Sequence, residues 1–428
     1  MPSRAGTMIV VVAFASLPAW RSAGAGPRQQ SAPPARADTV VRMVAEPVHR
    51  GVATLVEELS IGVADGAEEY MLGEVADLAL APDGSLYVFD RQVPVIRHYD
   101  AQGKFLRNVG RSGQGPGEYR SSSGIAVTRD GRLLLWDTVN WRINVYSAGG
   151  DFVEQWTTPS GMSGGGTAGY SRALLVDTAG LVVTRKTILN IRDIANRPTI
   201  WIRYRPDGTL VDTLFPPPWP DPDEPLVATA RGARISVAVP FSPTRWLALS
   251  PLGYFVAGFP SRYSFEVHRP GQPVLSVRRD ARPEPVPRSE RAAERNRVEE
   301  RMRRTDPAWS WNGPDIPTTK PLYDGLVVGL DGRVWVAVIP EVSPRVGNSS
   351  GGSGVGRPSG VRPPVPTTRE SPRPALYDVF EPDGRYVGQV RIPAKVSTVL
   401  RRGGHIWGIA FDEDDVPRIK RYRIEWGR

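Results

Sequence analysis

Cysteine is absent from the 428 residues, which removes disulfides, thiolate metal sites, iron–sulfur clusters and cysteine nucleophiles together. Histidine occurs four times, at His49, His98, His268 and His405, widely separated and poor material for a histidine-rich metal site. Lysine is scarce as well: only Lys104, Lys186, Lys320, Lys395 and Lys420 contribute to the 54 basic residues, so arginine carries almost all of the +9 formal charge. These arginines are interleaved with acids rather than gathered into a stripe, which argues against nucleic acid as a partner. Beyond the N-terminus no apolar run approaches the roughly 18 residues of a membrane helix, so no span is expected after signal cleavage. No G-x-S-x-G, H-E-x-x-H or Walker motif is present.

What the chain has in excess is turn chemistry. Gly 44 and Pro 42 together make about a fifth of the residues, against a typical share of about 12%. Hydrophobic residues at 40% still suffice for a sizeable core. That balance describes a turn-rich β protein. The first 25 residues stand apart: Arg4, an apolar run Met8–Leu17, then Ala23-Gly24-Ala25 follow the order of a secretory signal with an A-x-A cleavage pattern. Cleavage after Ala25 and a periplasmic or extracellular location are expected, and no cysteine follows to take a lipid anchor. Residues 26–50, which open on an Ala-, Pro-, Arg- and Gln-rich stretch, read as a disordered lead-in.

Residues 51–428 repeat. Leu80-Ala-Pro-Asp-Gly-Ser-Leu-Tyr-Val-Phe-Asp90 returns 47 residues later as Val127-Thr-Arg-Asp-Gly-Arg-Leu-Leu-Leu-Trp-Asp137. The register continues through Tyr99 and Tyr146, Gly103 and Gly150, Phe105 and Phe152. Each unit reads as four strands with tight glycine turns after the first and third, since Asp-Gly between apolar runs is a strong hairpin signal. The second strand Leu133-Leu134-Leu135-Trp136 is apolar on both faces, as a strand sandwiched between neighbouring sheets must be. Weaker copies around Val176, Leu249, Leu330 and Gly404 bring the count to six units, at the period of propeller blades. The last unit lacks its fourth strand. Thr54–Gly62 resembles the fourth strand Lys104–Gly110 of the first unit, so residues 54–61 are expected to complete the last blade and close the ring. The predicted fold is all-β: a six-bladed β-propeller, four antiparallel strands per blade, closed by the N-terminal strand and carrying one helical insertion.

The D-G-x-[LV]-x-V-x-D pattern from Asp83 to Asp90 and the loop Gly110-Arg-Ser-Gly-Gln-Gly-Pro-Gly-Glu-Tyr119 resemble bacterial six-bladed β-propellers of the NHL-repeat type. The first two blades match that pattern cleanly; the other four are diverged. The resemblance implies a binding scaffold rather than a defined reaction.

Long connections fall only after the second and fourth strands: residues 159–170, 184–199, 216–239, 282–320 and 339–374. In an up-and-down blade both kinds leave the same side of the disc, so one face carries every substantial insertion. The insertion 282–320 contains a predicted helix, Ser289–Arg304, with Ser289 as its cap, Glu299–Arg303 and Glu300–Arg304 at i,i+4 spacing, and Ala292, Arg295, Val298 and Met302 on one stripe. This helix is expected either as a solvated excursion or as a lid over the central pocket. Gly347–Pro374 has linker composition.

Ligand contacts are expected on the insertion-rich face, from Arg111, Glu118, Trp141, Arg262, Tyr263, Trp309, Trp311 and Tyr323. Arginine offers a planar fork for carboxylates, and aromatic faces stack on sugars or apolar groups. The expected partner is a small molecule, a glycan or a protein, bound by a monomer with no cofactor. Asp90 and Asp137, closing their second strands at matching positions, are expected to accept backbone N–H groups. The alternative is a lactonase-like metal-dependent hydrolase or lyase with Ca²⁺ at the central pore, drawing on Glu74, Asp77 and Asp324.

Overall fold

The computed structural model describes residues 38–158, 162–163, 172–188, 199–218, 225–230, 233–338 and 374–427. Signal residues 1–25 and nearly all of the 339–374 insertion lie outside the described residues. So do most of the connections 159–170 and 184–199.

Six blades are formed, each with its strands hydrogen-bonded in chain order from the centre outwards. Blade one comprises Val75–Leu80, Leu86–Asp90, Val95–Tyr99 and Phe105–Val109. Blade two comprises Ile125–Val127, Leu133–Asp137, Arg142–Tyr146 and Phe152–Thr157. Blade three uses Leu174–Val176, Val182–Ile188, Thr199–Tyr204 and Leu210–Leu214. Blade four uses Trp246–Leu249, Phe255–Gly258, Ser264–His268 and Val274–Arg278. In blade five the strands are Tyr323–Val328, Val334–Val338, Ala375–Phe380 and Tyr386–Ile392. Blade six takes Val396–Arg402, His405–Phe411 and Pro417–Glu425 from the C-terminus. Its fourth strand is Val52–Ile61, antiparallel to the last, with Thr54 opposite Glu425 and Ile61 opposite Ile419. The ring therefore closes as the sequence predicts, and Val52 and Ala53 also pair with Gln389 and Val390 of blade five.

The reason the blades need one another lies in their sequences. Leu133–Asp137 is buried along its whole length, and so is Leu86–Asp90. Six apolar clusters result, one between each pair of neighbouring blades, including blades six and one. A ring of six such interfaces buries both faces of every sheet, which an open array cannot do at its ends.

Two features depart from the sequence reading. The lead-in expected over 26–50 already holds a strand, Thr39–Met43, which pairs in parallel with Val274–Arg278 and makes blade four five-stranded. Alternation alone does not reveal it, because all five of its residues are exposed. The helix α1 spans Arg288–Arg303, starting directly after Pro287, so Ser289 lies within the first turn and no side chain caps it. The two i,i+4 ion pairs are present, Arg303–Glu299 at 2.9 Å and Arg304–Glu300 at 2.8 Å.

α1 rests on the protein by one side, its remaining residues exposed or half-buried. Its Val298 and Met302 pack with Leu226, Ala228, Val239, Phe241, Val286, Trp309 and Ile316. Those residues come from the segments that lead into and out of blade four, including the hairpin Leu226–Ala230 with Ala233–Val237. The two insertions flanking one blade thus share a seventh apolar core of their own.

Candidate functional site: the loop-bearing face

The turns sort onto two faces as an up-and-down blade requires. In blade one, buried Asp90 at the end of the second strand accepts N–H groups of Gly73 at 2.8 Å and Glu74 at 3.0 Å, from the connection preceding the blade. The second-to-third turn and the interblade connection therefore share a face. A methyl group added at Gly84 would meet Ala101 at 3.3 Å, which places the first-to-second and third-to-fourth turns together at the opposite end.

The loop Gly110–Tyr119 is the most fully braced element of the loop-bearing face. The Glu118 carboxylate accepts the Gly115 N–H at 2.8 Å and the Arg111 Nε–H at 2.7 Å. The Gly115 N–H and then the Arg111 guanidinium hold this carboxyl below the usual carboxylate range. Arg142 donates to the carbonyls of Gly115 and Glu118, each at 2.8 Å, and Asn140 Nδ2 donates to the Gly113 carbonyl at 3.2 Å. Tyr119 sits fully buried beneath, donating to the Val109 carbonyl at 2.9 Å and accepting the Ile96 N–H at 2.8 Å. Glycine is required at Gly110: its φ is 65°, and a Cβ there would lie 2.6 Å from the Tyr119 ring. The motif's glycines and its Glu-Tyr pair therefore hold blades one and two together.

Asp137 repeats the role of Asp90. It is buried and accepts the N–H groups of Arg120, Val139 and Asn140 at 3.1, 3.1 and 3.2 Å, plus Asn140 Nδ2 at 2.7 Å. Asp90 also accepts the Gln92 N–H at 3.0 Å and buried Arg97 Nη1 at 2.9 Å. Both carboxylates accept the backbone N–H groups that the sequence reading assigned to them.

The eight sequence-derived site residues fall into three groups. Arg111 and Glu118 are joined, and Trp141 occupies the neighbouring turn of blade two. Tyr263 and Tyr323 meet at 5.8 Å between blades four and five, both buried. Tyr263 donates to the fully buried Asp378 carboxylate, which also takes Arg279 at 2.9 Å, Tyr386 at 2.7 Å and Gln389 at 2.9 Å. Burial, reinforced by Asp378, pushes the Tyr263 phenol well up, and burial does the same for Tyr323, whose hydroxyl donates to the Ser264 carbonyl at 2.9 Å. Arg262, beside Tyr263, is exposed. Trp309 and Trp311 meet at 6.3 Å in the insertion core, where Trp309 Nε1 donates to the Val227 carbonyl at 2.7 Å and the Arg295 guanidinium lies 4.7 Å from the Trp311 ring. The structure brings the eight together as three groups and not as one cluster.

Exposure singles out a partly different set. On the loop-bearing face Met71, Val93, Val139 and Trp141 are 42%, 56%, 45% and 40% exposed, and the Arg111 side chain is 81% exposed. Among the described residues Trp141 is also one of four non-glycine residues with positive φ, at 54°, a costly backbone for a bulky side chain. Val93 and Val139 occupy the second-to-third turns of successive blades, so the repeat carried a signal for them: an apolar residue where a polar turn residue is expected.

At the central pore, Asp77 accepts the N–H of Leu78 at 2.8 Å and of Ile125 at 2.9 Å, and pairs with Arg172 Nη2 at 2.9 Å. Arg172 also donates to the carbonyls of Leu78 and Ile125 at 2.7 and 3.0 Å, tying blade three to blades one and two. Glu74 pairs with Arg91 at 2.8 Å. Among the described residues no three His, Asp or Glu side chains gather, and Asp77 and Glu74 are each faced by a guanidinium.

Comparison with a family model supports the fold. Residues 66–163 match the DUF5128 family, described as a 6-bladed beta-propeller. The chain is a six-bladed β-propeller. No curated protein matches it by sequence. Among solved structures it is similar to a member of the DUF4221 family from Bacteroides vulgatus, at 11% identity and TM-score 0.47, covering 89% of this chain and 100% of that one. It is also similar to a gluconolactonase from Xanthomonas campestris, at 12% identity and TM-score 0.37, covering 88% and 91%. A virginiamycin B lyase from Staphylococcus aureus aligns at 10% identity and TM-score 0.38, covering 87% and 99%. Among the described residues no helix is long and apolar enough to cross a membrane.

Proposed function

We propose that this propeller is an exported binding scaffold whose loop-bearing face, over blades one and two, holds a ligand with a flat or apolar surface and a negatively charged group. One observation carries the reading: an exposed tryptophan, Trp141, held in a left-handed backbone beside the braced Arg111 loop. The indole face supplies a stacking platform, and the Nη groups of Arg111 point a planar fork to solvent while its Nε stays tied to Glu118. Met71, Val93 and Val139 extend the apolar surface. Because Asp137, Arg142 and Asn140 fix both loops before a ligand arrives, little binding energy is spent on ordering the protein. Catalysis at the pore draws no support from side chains already paired within the ring. Export rests on the residues before Gly26, and intact-mass analysis from the native host is expected to find a mature N-terminus at or near Gly26.

The experiment is a thermal-shift screen of the mature chain with neutral and acidic oligosaccharides, lactones, aromatic carboxylates and divalent cations. A compound combining a ring face with a carboxylate is expected to raise the melting temperature of the wild-type chain and not of Trp141→Ala. Equal stabilisation of both proteins would contradict the assignment.

A further inference from the structure

Blade four differs from the other five along its outer edge. In blades one, two, three and five the pairing of third and fourth strands shifts by one residue, beside Tyr99, Tyr146, Tyr204 and Phe380. In blade six the closing strand shifts between Glu57 and Leu59. Such bulges twist an outer strand and spoil it as a template for further pairing. Among the described residues blade four alone pairs these strands without a shift, from Ser264 opposite Arg278 to Val267 opposite Leu275. It is also the blade that accepts Thr39–Met43 as a regular fifth strand. That strand is in turn the end of its sheet. It contains no proline, lysine or bulge, and its Val40, Val41 and Met43 are 54%, 47% and 52% exposed. A flat, apolar, exposed edge of this kind is a template for another strand.

We propose that this edge joins two copies of the chain, Thr39–Met43 pairing antiparallel with itself across a two-fold axis at Val40. Backbone phase and charge both select that register. The Asp38 carbonyl accepts the Val274 N–H at 2.9 Å, and the Val44 N–H donates to the Arg278 carbonyl at 2.7 Å. Even-numbered residues therefore turn their backbone groups to blade four, and Val41 turns its own outward. An axis at Val40 sets Val41 opposite Thr39 of the second copy as a hydrogen-bonded pair. Asp38 then stands opposite Arg42 of the second copy, twice over, in the non-hydrogen-bonded pairs where side chains come closest. Asp38 is exposed, and the Arg42 side chain is 45% exposed with Asp383 3.5 Å away. An axis at Arg42 would oppose two guanidiniums, and one at Val41 would leave Asp38 and Arg42 unmatched. A single strand pair buries less surface than a standard interface, so the association is weak, with a dissociation constant on the order of 50 µM. The edge lies on the rim of blade four, and the proposal is independent of the Trp141 face.

The test is sedimentation velocity of the mature chain between about 1 and about 300 µM, over which the weight-average mass is expected to climb from one chain towards two. Val41→Pro removes an outward N–H and spares the pairing with blade four, so this variant is expected to keep the wild-type melting temperature and stay monomeric. Asp38→Arg and Arg42→Asp each set like charges opposite one another and are expected to weaken the dimer about tenfold. Mixed in equal amounts the two are expected to associate again, because each mixed dimer carries two opposite-charge pairs. That recovery also shows that neither variant has lost its fold. A wild-type chain that stays monomeric throughout, a dimer indifferent to Val41→Pro and to both charge reversals, or a mixture no stronger than its components would overturn the proposal. Dimers that form only once residues 26–37 are removed would overturn it too, and would assign the edge to the chain's own leading segment.

Discussion

Blades one and two and blade four solve the same packing problem with different amounts of repeated sequence. In the first pair each fixed position has a partner 47 residues on: Asp90 and Asp137 gather N–H groups at the strand end, and Tyr99 and Tyr146 donate to the carbonyls of Glu69 at 2.6 Å and Gly117 at 2.9 Å in the preceding connection. Blade four has none of these braces. Its outer edge is covered by the N-terminal strand Thr39–Met43, and the segments on either side of it build a separate apolar core around α1. The ring is thus held by what repeats, and the face is differentiated by what does not.

Removing the closing strand should break the ring outright. Deletion of residues 26–61 takes away the fourth strand of blade six and the Ile61 that packs into the blade six–one core; its melting temperature should fall by more than about 15 °C. Deletion of residues 26–43 removes only the added strand of blade four and should cost a few degrees. Similar losses from both truncations, by calorimetry, would show that closure is not what holds the ring.

Within blade one, Asp90→Ala leaves buried Arg97 and three backbone N–H groups without their acceptor, and should cost about 3–5 kcal/mol in denaturant unfolding. In the insertion core, Trp309→Ala should cost about 3 kcal/mol locally. Hydrogen exchange should then quicken in α1 and the 226–237 hairpin while the blade strands stay protected. Uniform loss of protection would mean the insertion and the ring unfold as one.

A smaller effect separates blades two and three from the rest. The folded Lys186 ammonium titrates near 8 against 10.5 when exposed, so the unfolded chain binds more protons between those values and this residue adds stability as pH rises through them. Lys186→Met should therefore stabilise the chain by about 2 kcal/mol at pH 7 and by less at pH 9.5. A gain independent of pH would assign the effect to packing alone.

Much of this was legible in residues. Asp-Gly turns, doubly apolar second strands and a misplaced fourth strand give the blades and their closure, because tight turns and two-sided burial leave a local trace. The strand Thr39–Met43 left none, since an exposed edge strand lacks alternation. Five of the eight proposed contact residues, Glu118, Tyr263, Tyr323, Trp309 and Trp311, engage other parts of the protein: an aromatic or charged residue in a loop looks the same in sequence whether it turns outward or down into a neighbouring blade. Met71, Val93 and Val139 went unnoticed because a single apolar loop residue is ordinary until its neighbours are known.

The most direct test of the binding face is hydroxyl-radical footprinting of the mature chain, with and without the compound that most raises its melting temperature. Met71 and Trp141 are exposed on the loop-bearing face, whereas Leu210 is exposed on the outer strand of blade three and Leu252 in the first-to-second turn of blade four. Binding is predicted to cut oxidation of Met71 and Trp141 severalfold and leave Leu210 and Leu252 unchanged. Protection of Leu210 or Leu252 with Met71 and Trp141 still fully oxidised would contradict the account.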